Sequence, residues 1–347
     1  MGAAGGLFAS AAASGSPRQT GGGPRRVIID TDPGTDDALA IFLALKSPEL
    51  KVEALTPVAG NVPLELTLPN ALRLLEIAGR TDIPVAAGAG KPLVRRLVTA
   101  SYAHGENGLG GVVFPDPKTK PVSESAPDLI RRMVRAAPSA ISLIALGPLT
   151  NLAHAFQADP QLPAMIPNLT LMGGSLSGGN VSPAAEFNIY VDPEAAAIVF
   201  RSGVPITMVG LDVTRKAMVR EADIQALEAG AGPVSRAAGR IVRATMTRMR
   251  KANSPAPGPA MHDSLAVAAF LDPSLVTLQD FFVEVETSGE YTAGETVGYR
   301  RAPMRKSAPT DNAPAAAAEA SFRPNAKVAM EVDVDRFLRM LIGRLAS

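Results

Sequence analysis

The chain has 347 residues, room for two average domains or one large α/β domain. Hydrophobic residues make up 46% and charged residues 19%, with 34 basic against 33 acidic side chains; this is the mix of a packed globular protein, with no charge excess to favour nucleic acid or an anionic membrane as partner. The absence of cysteine excludes disulfides, thiolate nucleophiles and zinc–thiolate centres, and only three histidines (His104, His154, His262) leave an oxygen-ligated metal as the favoured kind.

Residues 1–24 stand apart as a tail dominated by Gly, Ala and Ser. They read as a disordered extension of a cytoplasmic protein. A second reading makes them the remnant of an export signal, with "LFASAAASGS" as its weak apolar part, and places the protein in the periplasm or outside the cell. No stretch is long and apolar enough to span a bilayer. Regular structure is expected over 25–347. "RRVIID" is a β-branched strand, and Asp30 to Gly34 form a Pro-Gly turn. A helix then follows from Thr35, its N-cap, with Ala38, Ile41, Phe42 and Leu45 along one face.

"KVEALTPV" is the next strand, "ELTLPNALRLLEIAG" a helix stopped at Gly79, and "IPVAAG" a short strand. Ser101 to Lys120 read as a long polar loop. "APDLIRRMVRAA" is a helix, "AISLIAL" a strand and "PLTNLAHAF" a helix opened by Pro. "LTLMGG", "DPEAAAIVFRSG" and "PITMVGL" continue as strand, helix, strand. From Glu221 to Lys251 the pattern is helical. "FFVEVETSGEY", "ETVGYRR" and "AKVAMEVDV" alternate like antiparallel strands, and "DRFLRMLIGRL" closes as an amphipathic helix. The Ala/Pro-rich residues 307–324 read as a surface loop or disordered insert. Short apolar strands alternating with helices predict one α/β domain with a mainly parallel central sheet and a small antiparallel C-terminal element. Ligands of such sheets bind at the carboxyl ends of the strands.

The strongest chemical signal is Asp30-Thr31-Asp32-Pro33-Gly34-Thr35-Asp36-Asp37, with four carboxylates in eight residues. Their mutual repulsion calls for a cation, and their place at a helix start favours the ionised form. Helix capping accounts for one or two of them, not four. An EF-hand is excluded because Pro33 and Gly34 interrupt its alternation of acids. A phosphatase with an aspartate nucleophile and Mg²⁺ remains as a rival, but no matching downstream Lys and acidic pair stands out.

The segment "DTDPGTDDA" (Asp30–Ala38) resembles the signature of the inosine–uridine-preferring nucleoside hydrolase family. Further segments agree in order: "VAGNVPL" with Asn61, "HGENGLGG" with His104, "ALGPLTN" over Ala145–Asn151, "LMGG" over Leu171–Gly174, "GNVSPAAEFNIYVDPEAA" over Gly179–Ala196, and "MHDSLA" with His262 and Asp263. The resemblance spans residues 26–345. It implies hydrolysis of the N-glycosidic bond of ribonucleosides to free base and ribose, one Ca²⁺ per site, and a homodimer or homotetramer. It further implies that Asp32, Asp37, Asp263 and the Leu146 carbonyl hold Ca²⁺, and that Asp32 is the general base for a water that the metal acidifies. Asp36, Asn61, Asn180, Glu186 and Asn188 would grip the ribose hydroxyls, Met172 and Phe187 would pack on the sugar, and His262 would assist the leaving base.

Such residues suit the reaction. Cleaving the C1′–N bond builds positive charge on the sugar, which carboxylates stabilise. Single residues keep other readings: Asn61 as a turn residue, Glu186–Asn188 as a buried polar cluster, His262–Asp263 as a capping pair, His104 as a surface or a lid residue, and His154 as structural. A ribose or nucleoside binder without turnover is the non-enzymatic alternative. The chain departs from the family at Ser264, where many members have Pro. The helix "RIVRATMTRMRKA", expected to face the base, offers Met246 and Met249 rather than aromatics, and there is no Trp to stack on a purine.

Overall fold

The computed structural model describes residues 23–301 and 323–347. The expectations for residues 1–22 and for most of the 307–324 insert fall outside the described residues. Among the described residues, eight strands form one sheet: β1 (Arg25–Thr31), β2 (Leu50–Pro57), β3 (Ile141–Ala145), β4 (Leu169–Met172), β5 (Ile206–Val209), β6 (Val276–Val285), β7 (Thr296–Tyr299) and β8 (Ala326–Val332). The helices are α1 (Thr35–Leu45), α2 (Leu64–Ile77), α3 (Ser101–His104), α4 (Ala126–Ala136), α5 (Thr150–Ala158), α6 (Phe187–Val191), α7 (Pro193–Arg201), α8 (Leu211–Thr214), α9 (Glu221–Ala229), α10 (Pro233–Lys251), α11 (His262–Leu271) and α12 (Val334–Ala346). No helix among the described residues is long and apolar enough to cross a membrane.

The strand order is β2-β1-β3-β4-β5-β8-β6-β7. All pairs from β2 to β8 are parallel, and β6 runs antiparallel to both β8 and β7. The chain winds one way from β1 to β2 and the other way from β3 onward. The switch lies between β1 and β3, where a crevice opens at the strand carboxyl ends. The expected α/β architecture is present, with two local differences. "AKVAMEV" joins the parallel body through β5 and is antiparallel only to β6, because its Ala326 and Val328 fill the core beside Ile206 and Met208 while Ala329 packs on the other face. "IPVAAG" makes only isolated bridges, Leu55 with Val85 and Ala86 with Val122.

Side-chain alternation on β1 shows how the core divides. Val27 and Ile29 pack into a cluster built with α1, α2, α9, α10, α11 and α12, while Ile28 packs into one built with α4, α5 and α7. Strands buried on both faces carry continuous apolar runs. The amphipathic reading of α1 is corrected: Thr35 through Ala44 are all buried, because α11 covers the face that a surface helix would give to water. Its N-cap is Gly34 rather than Thr35. The helical stretch 221–251 is two helices, broken at Gly230-Ala231-Gly232 and restarted by Pro233. Phe42, fully buried at the centre of α1, anchors this layer. Phe42→Ala should cost about 3–5 kcal/mol in a denaturant titration; a loss below about 1 kcal/mol would show that the α1 layer is not cooperative with the rest.

Candidate active site

The β1–α1 turn is tied from inside by Asp37. Its Oδ1 accepts from Thr31 Oγ1 (2.6 Å) and the Asp32 N–H (3.3 Å); its Oδ2 accepts from the Gly34 N–H (3.0 Å) and Asn61 Nδ2 (3.0 Å). These four bonds make Asp37 the clasp of the turn. Asp32 differs. Its Oδ2 accepts the Asn61 N–H at 2.6 Å, while its Oδ1 is buried with no hydrogen-bond partner among the described residues. Gly60 and Gly147 enclose it: a Cβ on Gly147 would sit 2.5 Å from Asp32 Oδ1, and one on Gly60 2.8 Å from Asp32 Cγ. Only glycine lets the backbone approach so closely.

Above this floor is a cavity of ≈ 130 Å³. It gathers residues from seven separate segments: Asp36, Asn61, His104, Leu146, Met172, Asn180, Glu186, Phe187, Asn188, His262 and Asp263 all line it. Asp32 and Asp37 lie behind that wall, fully buried. Oxygens of Asp36, Asp37 and Asp263 come within 4.8 Å of one another. That trio includes Asp36 in place of Asp32, whereas the resemblance gives Asp36 to ribose and Asp32 to the metal. Asp32 is set apart by its unpartnered oxygen, a condition it shares with Asp30 Oδ1; a buried carboxylate oxygen without a donor is costly unless a proton or a cation meets it.

Electrostatics agree. Burial, then the neighbouring Asp37, push Asp32 well above the ordinary carboxylate range. Burial, then Asp36, Asp37 and Asp32, do the same to Asp263. Burial likewise raises Asp36 and Asp37. Four acids that oppose each other's ionisation, all on hard oxygen donors, form a set that fits a divalent cation such as Ca²⁺. The Leu146 carbonyl faces the same cavity and accepts Asn188 Nδ2 at 2.8 Å; its second lone pair leaves room for one more partner.

The amides and acids nominated for the sugar are already half engaged, which fixes their rotamers. Asn188 Nδ2 also donates to the Met172 carbonyl at 3.1 Å. Asn180 Oδ1 accepts the Phe187 N–H at 3.0 Å. Glu186 caps α6, its Oε2 accepting from Ile189 N–H (3.3 Å) and Gly174 N–H (2.9 Å), and burial pushes it up to about 7. Asn61 is more than a turn residue, since it holds both Asp32 and Asp37.

His104 is not on the surface. The Thr35 N–H, which can only donate, reaches its Nδ1 at 3.1 Å, so the neutral ring carries its proton on Nε2. Burial pushes this imidazole down to about 4. The link pins α3 onto the N-terminus of α1. His262 begins α11, and burial lowers it too. His154 is exposed on α5 and takes no part in the cavity. The expectation for α10 is corrected: neither Met246 nor Met249 lines the cavity, and Met246 is a core residue. The helix instead backs the 101–111 segment, where Arg248 Nη2 donates to the Ala103 carbonyl and Ala244 and Thr245 lie against Gly110.

Sequence reasoning missed Tyr102, which lines the mouth and is 69% exposed. Its nearness to His104 in the chain was the only signal. It also missed the support under β1. There Asp30 Oδ2 accepts Thr56 Oγ1 (2.6 Å) and Asn151 Nδ2 (2.8 Å), and burial pushes Asp30 up to about 7.

Carboxylates, amides and imidazoles converging at the switch point of a parallel sheet define an enzyme site for a small hydroxyl-rich substrate and a hard cation. The family model described as inosine-uridine preferring nucleoside hydrolase matches residues 27–339, and the chain belongs to that family. It is a nucleoside N-ribohydrolase. The pyrimidine-specific ribonucleoside hydrolase RihA of Salmonella agona (strain SL483) is 42% identical over 319 residues, 92% of this chain and 97% of the relative. The plant nucleoside hydrolase PpNRh1 superposes with a TM-score of 0.84 at 38% identity, covering 93% of this chain and 99% of the other. A purine-preferring ribonucleoside hydrolase from Gardnerella vaginalis does so with 0.83 at 32% identity, covering 93% and 98%.

Proposed function

We propose that this enzyme cleaves ribonucleosides to base and ribose with Ca²⁺ held by Asp32, Asp37, Asp263 and the Leu146 carbonyl, and with Asp32 as general base. The observation that carries the reading is the buried, unpartnered Asp32 Oδ1 within a four-carboxylate floor. When bound, Ca²⁺ supplies a Lewis acid that anchors the sugar diol and lowers the pKa of water. Asp32 Oδ1 takes the proton of the attacking water, while the Asn61 N–H on Oδ2 keeps the carboxylate oriented. Asp36, Asn61, Asn180, Glu186 and Asn188 bind the ribose hydroxyls, and their existing hydrogen bonds preorganise them. Met172 and Phe187 pack on the sugar and keep water from its other face. Positive charge growing at C1′ meets the negative floor. His262 gives a proton to the departing base, and His104 closes the wall as part of the lid.

The relatives named above differ in base, one pyrimidine-specific and one purine-preferring. RihA is 42% identical and the Gardnerella enzyme 32%, so we favour pyrimidine ribonucleosides first. The homodimer or homotetramer implied by the resemblance is part of the same reading, and light scattering on the purified enzyme tests it.

The test of the whole is ribose release from a panel of uridine, cytidine, inosine and adenosine, with and without EGTA. Release that the chelator abolishes and added Ca²⁺ restores is the expected result. Undiminished release in EGTA would remove the metal from the mechanism. Nucleoside binding without release would make the protein a binder, and phosphate release from phosphomonoesters would make it a phosphatase.

A further inference from the structure

The short helix α8 and the residue that follows it hold His262, which lines the cavity, and the chain leading to Asn180, which lines it too. Asp212 Oδ2 accepts the Leu176 N–H at 3.0 Å. Arg215, directly after α8, donates through Nη2 to the Gly178 carbonyl (3.1 Å) and to the Gly179 carbonyl, next to Asn180. Thr214 is fully buried, and its Oγ1 lies 2.8 Å from His262 Nδ1. The helix is itself fixed, because the Leu211 N–H donates to the Gly174 carbonyl at 2.9 Å.

We propose that Thr214 is a positioning residue that holds His262 in one ring orientation and one tautomer, with Nδ1–H donating to Thr214 Oγ1 and Nε2 turned to the leaving base. The Thr214 hydroxyl can donate or accept. In the imidazolium that the leaving-group role requires, both ring nitrogens carry protons, so Nδ1–H can only donate and Thr214 Oγ1 must accept. With Nδ1 so engaged, Nε2 is the ring nitrogen left to serve the cavity. The proton balance follows. The imidazolium gives its Nε2 proton to a nitrogen of the departing base, the electron pair of that N–H bond stays on Nε2, and the ring becomes the neutral Nδ1–H form. The Nδ1–H···Oγ1 bond is present before and after, so the transfer needs no ring flip. This is the role that the carboxylate plays toward histidine in hydrolytic triads, here filled by a hydroxyl without a second charge.

The same assignment explains why Thr214 itself is buried. Water at Nδ1 would compete for the proton and release the ring. It also distinguishes the two histidines, since His104 accepts at Nδ1 from a backbone N–H and is thereby held as the opposite tautomer.

The inference rests on His262 serving the leaving group, so the experiment separates the two. On the wild-type protein, ¹⁵N NMR of His262 should show a protonated Nδ1 in the neutral ring; a neutral ring protonated at Nε2, the form free histidine prefers, overturns the assignment whatever any variant does. Thr214→Val keeps the shape and removes the oxygen. It should lower kcat for uridine and inosine about tenfold, the scale of one buried hydrogen bond, with KM little changed. Hydrolysis of p-nitrophenyl riboside, whose leaving group needs no proton, should fall far less. Thr214→Ser should recover most of the loss. Equal losses on all substrates, or no rescue by Ser, would leave Thr214 a packing residue. His262→Gln is the separate control: if it slows natural nucleosides and p-nitrophenyl riboside alike, the leaving-group reading of His262 fails first.

Discussion

Asp32→Ala should lower kcat by about 10⁴-fold or more while leaving the protein folded. A general base alone accounts for about 10²–10⁴. The same carboxylate is proposed as a cation ligand, so its loss removes both functions at once. Folding should not suffer, because the side chain is a buried acid with one oxygen unpartnered, pressed between Gly60 and Gly147. Removing a charge in that position relieves the repulsion with Asp37 and Asp36. Without added metal the variant should therefore melt at or above the wild-type temperature. Ca²⁺ separates ligand from neighbour. At about 100 times its Kd it should stabilise the wild type by about 2.7 kcal/mol, and Asp32→Ala should lose that gain. Asp36→Asn should keep much of the gain and raise KM instead, since Asp36 is proposed to bind the ribose hydroxyls. If Asp36→Asn abolishes Ca²⁺ stabilisation while Asp32→Ala does not, the ligand set is the trio Asp36, Asp37 and Asp263, and the base must be sought elsewhere.

The parallel body of the fold was legible because it is written in local pattern. "RRVIID", "AISLIAL" and "PITMVGL" are apolar runs too short for helices, and Gly or Pro separates each from a helical segment. What escaped is set by tertiary contact. That α1 is buried all round depends on α11, a helix more than 200 residues away. That "AKVAMEV" pairs parallel with β5 depends on which edge the sheet leaves open, and an alternating pattern does not encode direction. The helix break at Gly230–Gly232 was there to be read, since Gly-Ala-Gly-Pro is a strong stop and restart signal.

The candidate site divides the same way. Acids crowded in sequence announce themselves, and the other nominated side chains came from ordered motifs that resemble a family. Eleven of those residues meet at one cavity. Their supports were invisible, because Thr214, Thr56 and Asn151 are ordinary residues whose use lies in one hydrogen bond to a distant partner. Met246 shows the opposite failure. A helix placed by resemblance need not present its apolar side chains to the ligand, and here the 101–111 segment lies against it.

Gly147→Ala should cost about 100-fold in kcat, the second largest loss expected of a single substitution. An added Cβ would lie 2.5 Å from Asp32 Oδ1, 2.8 Å from its Cγ and 3.1 Å from its Cβ. No rotamer relieves this, because Asp32 is held from the far side by the Asn61 N–H at 2.6 Å and by Gly60. Either the carboxylate or the 146–147 backbone must therefore move. Both are proposed to serve the same cation, through Asp32 and the Leu146 carbonyl. A displacement of about 1 Å at reacting groups is enough for a loss of about 10². Overpacking should also cost about 1–3 kcal/mol of stability. The diagnostic is how kcat, KM and Ca²⁺ stabilisation move together. Displacing the floor should weaken Ca²⁺ stabilisation and lower kcat, while the hydroxyl-binding side chains at 180–188, on separate elements, keep KM within a few-fold. Wild-type kcat in a folded Gly147→Ala protein would mean that Asp32 has room to spare, and the tight floor on which the mechanism rests would have to be given up.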